Sequence, residues 1–255
     1  MKRIIIFIAI IGALISALPA TSIAQNVKFL DPNFKKAVIL AGFDLNEDGE
    51  IQTAEALKVT RLYVDKRSIE SLNGIKSFSN LEEFGFYYND IRQLDLSGMK
   101  KLRAIYGFEC KMEAINLKGC TNLETIILNF NGLREIDLTG INKLKEIQII
   151  QNDLHSIDLS NLPLLEDIRL NNNRLTSIKT ANSPAIREMQ LQKNYLLSQD
   201  FTQLKNLELL WIYDNPDLNS LKIYGLRKLK TLNCSDCKLF NLNMSGTVNL
   251  KEFSW

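Results

Sequence analysis

The sequence predicts an α/β solenoid with a parallel β-sheet along its concave face, shorter extended segments on the other side, and a small helical cap at the N-terminal end. Three observations lead there. A 21-residue block recurs nine times, headed by Leu81, Leu102, Leu123, Leu144, Leu165, Ile186, Leu207, Leu229 and Leu250, and only the block from Leu207 is a residue longer. In each block the fourth and sixth positions are mostly apolar and the ninth is mostly Asn. Ahead of the array lies one helix-like stretch followed by an acidic loop. One such block buries nothing by itself, whereas stacked blocks share a continuous core.

At the N-terminus, Lys2 and Arg3 precede an uncharged apolar run from Ile4 to Leu18, and Ser22-Ile23-Ala24 places small residues where a signal peptidase reads them. Residues 1–24 are therefore expected to be a signal peptide cleaved after Ala24. The run is too short for a spanning helix, and nothing later approaches a membrane span. No cysteine lies near the cleavage site, which argues against a lipid anchor. The expected mature chain is exported, either secreted or held at the cell surface, with the periplasm as the alternative.

Residues 25–58 form the expected cap. Asp31-Pro32-Asn33 opens a helix with apolar positions Phe34, Val38, Ile39 and Leu40, which runs to Gly42. The segment DLNEDGEIQTAE follows, from Asp44 to Glu55. Counted as a twelve-residue loop, it puts Asp44, Asn46 and Asp48 at positions one, three and five. The turn glycine Gly49 is at six, the backbone carbonyl of Glu50 at seven, Gln52 at nine and Glu55 at twelve. This spacing resembles an EF-hand, with a second short helix expected from Thr53 to about Lys58. The resemblance implies Ca2+ held by Asp44, Asn46, Asp48, Glu50, Gln52 and Glu55. A lone loop implies the weak affinity of extracellular modules and a structural ion that stiffens the cap.

From residue 59 to 255 the blocks take over. The fourth position runs Phe84, Ile105, Ile126, Ile147, Ile168, Met189, Leu210, Leu232 and Phe253. The sixth alternates with it as a strand does, so both point inward. Asn at the ninth position can both donate to and accept from the backbone of a buried turn. A second apolar pair half a block later, such as Ile136 and Leu138 or Ile157 and Leu159, predicts a shorter extended segment on the far side. The blocks resemble the 21-residue leucine-rich repeats of bacterial surface proteins, above all the internalin-type adhesins, whose repeat halves read LxxLxLxxN and LxxLDLS. The stretch from Val59, with SIESLNGIKSFSNLEEF running into the first block, is similar to an internalin repeat joining cap to array. The resemblance implies a leucine-rich-repeat solenoid that binds a partner in adhesion or host contact. It also implies an EF-hand-like cap of a kind that need not hold a metal.

Losing residues 1–24 removes two of 31 basic residues and none of the 29 acidic ones, leaving a formal charge of about zero. No basic face suited to nucleic acid is expected, since the locally basic stretches 99–103 and 226–230 fall on loops between blocks. Four cysteines follow the ladders. Cys110 and Cys237 take the Asn position, Cys234 a core position, and Cys120 a loop after Gly119. Cys110 and Cys120 sit on different sides of the coil and are not expected to pair. Cys234 and Cys237 spell CxxC with neither a second CxxC nor a histidine beside it, so a structural role is expected. The fifteenth position carries Asp95, Asn116, Asp137, Asp158 and Asn243, which suits local pairing with backbone donors. His155 is the sole histidine, and G-x-S-x-G, H-E-x-x-H and phosphate-loop motifs are absent, so the sequence supports no enzyme.

The outward positions five, seven and eight identify a surface. Tyr87 and Tyr88, then Tyr106 and Phe108, then Phe130, then Ile150 give the early blocks an aromatic and aliphatic patch, and Trp211 with Tyr213 makes a smaller one. Equivalent residues of adjacent blocks lie about 4.8 Å apart, which places Tyr87, Phe108 and Ile150 in one file with Asn129 between. Such a patch is expected to take a protein partner through the concave face. A glycan stacking on the same rings is the alternative, and a self-assembling envelope protein is a third reading. The third rests on the last block, which stops at its sixth position, Trp255. Either Phe253 and Trp255 close the core, or the ends pair, or the chain is a fragment.

Overall fold

A computed structural model describes residues 25–255, and the expected signal peptide, residues 1–24, lies outside the described residues. Ten three-residue strands make one parallel sheet: Arg61–Tyr63, Glu83–Gly85, Ala104–Tyr106, Thr125–Ile127, Glu146–Gln148, Asp167–Arg169, Glu188–Gln190, Leu209–Trp211, Thr231–Asn233 and Glu252–Ser254. Register pairs like with like, Leu62 with Phe84, Phe84 with Ile105, Met189 with Leu210. The repeat enforces this, because a one-residue slip would turn every buried side chain to the surface. One apolar core runs the length of the stack, from Val27 to Leu239.

The sixth position holds Gly107 between Phe86 and Leu128. A Cβ there would collide with the Phe86 ring, so the missing side chain is the room that ring occupies. The strand on the far side is less continuous than the alternation predicts. It appears as three pairs, Gln93–Asp95 with Ala114–Asn116, Ser156–Asp158 with Ser177–Lys179, and Ser198–Asp200 with Ser220–Lys222. Residues 134–138 carry no strand, although Leu138 is buried and Ile136 half-buried. Inward packing there does not need the ladder bonds.

The Asn ladder does what its chemistry predicts. Nδ2 of Asn173 donates to Ile149 O (2.6 Å) and Leu170 O (3.0 Å), while its Oδ1 accepts from Leu154 N–H at 3.1 Å. Asn89, Asn131, Asn152, Asn194 and Asn215 repeat this pattern. Where cysteine replaces Asn, the thiol takes over as donor, Cys110 Sγ to Phe86 O at 3.0 Å and Cys237 Sγ to Ile212 O at 3.5 Å. Burial pushes the Cys110 thiol up to about 11 and the Cys234 thiol to about 12, so both stay protonated. The fifteenth-position side chains pair locally, Asp95, Asn116, Asp137, Asp158 and Asn243 each accepting the N–H two residues on.

The N-terminal segment packs against the first turn of the stack. Helix α1 spans Pro32–Leu40 and buries Phe34, Ala37 and Val38, and helix α2 spans Thr53–Ala56, two residues shorter than the spacing predicts. Phe34 meets Phe29 edge to face at 5.1 Å and lies 6.5 Å from Phe78 of the array. At the other end Phe253 and Trp255 meet edge to face and stay 42% and 54% exposed, while Leu232 and Cys234 of the turn before them are buried.

Candidate binding face

The outer face of the main sheet carries most of the aromatic residues singled out from the sequence. Tyr87 and Tyr106, from adjacent turns, stack with centroids 6.3 Å apart. Tyr88, Phe108 and Phe130 form a second row, with centroids 5.4 and 4.8 Å apart, and the Lys66 ammonium sits 4.8 Å above the Tyr88 ring. The patch is therefore two connected rows. Ile150 is half-buried on the same face and donates its N–H to Asn129 Oδ1 at 2.8 Å. Trp211 and Tyr213 stand apart, lining a shallow hollow of about 300 Å³ with Thr231, Asn233, Glu252 and Ser254.

The eighth position lies beyond the three-residue strands, in a turn. Tyr88, Glu109, Phe130, Gln151, Asn172, Lys193, Asp214 and Asp236 all have φ between 50° and 59°. Asn and Asp tolerate this left-handed region, whereas a bulky side chain there is an outlier. Tyr88 and Phe130 accept that strain and remain 45% and 37% exposed, so they stand at the rim of the face instead of on its strands.

One ring escaped the block count. Tyr63 is at the fifth position counted from Val59 as the first, on the strand preceding the first counted block, and it is 46% exposed. Its ring lies over Gly85, where a Cβ would collide with it, and its hydroxyl donates to Glu83 Oε2 at 2.9 Å. Counting 22 residues back from Leu81 would have found it. Beside it Asp65 accepts the Tyr87 N–H at 2.8 Å, and burial raises its carboxyl above the usual range. Burial also pushes the Tyr63 and Tyr87 hydroxyls up to about 12, so both remain neutral donors.

Further along the sheet, Asn171 Oδ1 and Gln192 Oε1 are buried without a hydrogen-bond partner, on the file that carries Tyr87 and Tyr213. A larger hollow of about 970 Å³ lies away from the rings, around Ser71, Gln93, Ala114 and Asn116. Most charges on its walls are paired, Lys76 with Asp95, Arg92 with Glu113 and Asp90 with Lys111.

In the cap loop, Asp44 accepts from the N–H groups of Asp48 (3.2 Å) and Gly49 (2.9 Å), and Asp48 accepts from Glu50 N–H at 2.8 Å. Asn46 Oδ1 accepts from Asp48 N–H at 3.3 Å. The two Glu55 oxygens take the N–H groups of Leu45 (2.7 Å) and Gln52 (2.8 Å), tying the loop's start to its end. The Glu50 side chain pairs with Lys35 at 2.5 Å, which leaves its backbone carbonyl to the loop. The Glu50 N–H, first among its partners, holds the Asp48 carboxyl below the usual range. Among the described residues no three His, Cys, Asp or Glu side chains converge as a ready cluster. The set offers the oxygen donors a hard cation takes, but Asp48 Oδ2 already accepts from Asn46 Nδ2 (3.0 Å) and Gln52 Nε2 (2.9 Å), so an ion there would have to displace those two amide bonds.

No family description matches this chain, and no curated protein does. Among solved structures it is similar to an internalin, InlF, of Listeria monocytogenes, with 18% identity and a TM-score of 0.66 over 92% of this chain and 78% of that one. It is also similar to internalin C2 of the same bacterium, with 19% identity and a TM-score of 0.54 over 89% of this chain and all of that one. A third likeness is to an octameric complex of Latrophilin 3, Unc5D and the leucine-rich-repeat protein FLRT2, with 19% identity and a TM-score of 0.57 over 76% of this chain and 65% of the matched one. The shared property is the fold, a leucine-rich-repeat solenoid, which this chain builds from turns of about 21 residues.

Proposed function

We propose that this chain is an exported, non-enzymatic binding module that takes a protein partner on the ring-bearing, concave face of its main sheet, in adhesion or contact with a host or partner cell. The observation that carries this reading is the pair of aromatic rows, Tyr63, Tyr87 and Tyr106 beside Tyr88, Phe108 and Phe130, standing at outward positions the core does not require. Half-exposed aromatic clusters of this size supply most of the energy of known interfaces. The similarity to internalins and to FLRT2 within a multi-protein complex agrees with it. In the cap, Asp44, Asn46, Asp48, Glu50, Gln52 and Glu55 would hold Ca2+, a structural ion supplying positive charge to a loop that its own amides already close.

The test is capture from host-cell extract by the protein and by its Tyr87→Ala/Phe108→Ala variant, each with and without calcium. Capture of one protein by the unmutated form alone supports the reading, provided the variant keeps its circular dichroism and melting profile. Equal capture by both forms overturns it. A second reading, glycan binding, is favoured by the shallow hollow that Trp211 and Tyr213 line with Thr231, Asn233 and Glu252, since sugars present hydroxyls beside stackable faces. Retention of a purified polysaccharide by the unmutated form, in place of a protein, would select it.

A further inference from the structure

Resting on the reading that this face takes a protein, the geometry points to the chemistry of the partner's anchoring group: we propose that Tyr63, Tyr87, Tyr106 and Asp65 form a receptor for a cationic side chain, an Arg or Lys of the partner. The first strand of the sheet supplies Tyr63, Asp65 follows it two residues on, beyond the strand's end, and the next two turns supply Tyr87 and Tyr106. Tyr87 and Tyr106 stack 28° from parallel, and Gly85 lets the Tyr63 ring lie down on the sheet beside them. Tyrosine faces carry negative quadrupole charge, and a carboxylate among them deepens the attraction for a cation. The acids Glu83 and Glu146 act electrostatically on Tyr106. On the neighbouring rim row Lys66 already sits over Tyr88, so the chain itself makes the contact proposed here.

Asp65 is the informative member. Its one hydrogen bond is to the Tyr87 N–H, and none of the ion pairs among the described residues includes it. Asn129, at the equivalent position three turns on, accepts the Ile150 N–H in the same way through its amide oxygen. The fold therefore needs an acceptor at this place and not a charge. A half-buried carboxylate without a close ion pair is unfavourable, and burial raises its pKa by more than the Tyr87 N–H, Lys66 and Arg67 lower it. A bound cation would remove that penalty, and the Tyr63, Tyr87 and Tyr106 rings would cover the alkyl stem.

The experiment titrates the protein with Nα-acetyl-arginine amide and with its neutral isostere Nα-acetyl-citrulline amide, following the tyrosine ring resonances by NMR. The arginine probe is expected to shift the rings of Tyr63, Tyr87 and Tyr106 saturably, at least tenfold more tightly than the citrulline probe. Asp65→Asn keeps the Tyr87 bond on the precedent of Asn129 and is expected to erase the preference. Equal binding of the two probes, or a preference that survives Asp65→Asn, overturns the receptor. In the capture assay, an Asp65→Asn protein that holds its partner as before sinks the cationic anchor alone. Loss of the whole-face reading would show instead as unchanged capture by the Tyr87→Ala/Phe108→Ala variant.

Discussion

Asn173 shows how much one side chain carries in a stacked fold. It is 5% exposed and joins three backbone groups from three places, Leu154 N–H, Ile149 O and Leu170 O. Asn173→Leu would keep the branched outline and leave those groups buried without partners, at a cost of about 2–4 kcal/mol. Asn173→Cys should cost less than half of that, because Cys110 and Cys237 show a thiol acting as the donor in the same ladder. Urea unfolding of the two variants checks the order, and a leucine variant as stable as the cysteine one would refute it. This ladder was legible in the sequence because a buried turn needs a residue that donates and accepts, and Asn recurs where one is needed. Tyr63 and Asp65 were not, because they precede the first strictly spaced block. The rim placement of Tyr88 and Phe130 was illegible for another reason, since their residue types argue against the left-handed backbone they adopt.

At the level of elements, one carboxylate ties the N-terminal helix to the array, beside the approach of Phe34 to Phe78 and the bond that Asn33 Nδ2 donates to Ser68 O. Asp31 caps α1 through Asn33 N–H at 2.8 Å and reaches across to Glu70 N–H (2.6 Å) and Ser71 N–H (3.0 Å) of the turn beyond the first strand. The Asp-Pro-Asn signal announces the cap from sequence, whereas the bonds to residues 70 and 71 need three dimensions. Burial raises the Asp31 carboxyl, but the four N–H groups around it outweigh burial and hold it below the usual range. A carboxyl depressed on folding contributes stability above its unfolded pKa of about 3.9 and loses it as pH falls through the folded value. Asp31→Ala is thus expected to lower stability by roughly 2–3 kcal/mol at neutral pH. The gap should close as the pH is brought below about 4, and urea midpoints measured across that range check it. A gap independent of pH would show that helix packing, and not the charge, carries the effect.

Across the whole molecule, each strand of the main sheet pairs only with its neighbours, so stability is a chain of local interfaces and the ends are where it is weakest. The cap covers the first of those interfaces through Phe29, Phe34 and Phe78. An ion that favours the folded loop from Asp44 to Glu55 would stabilise the end of the stack and, through it, the turns behind. Binding to the folded state adds RT ln(1 + [L]/Kd), about 2.7 kcal/mol at a hundredfold excess over Kd. Because the amides of Leu45, Gly49 and Gln52 already close the loop, the calcium-free protein should fold, and calcium should only raise its melting temperature. Magnesium, which demands tighter octahedral geometry, should raise it less at equal concentration. Differential scanning calorimetry of the protein in chelator, calcium and magnesium gives the comparison. A melting temperature indifferent to millimolar calcium would make the loop a self-sufficient staple, its carboxylates serving backbone N–H groups alone.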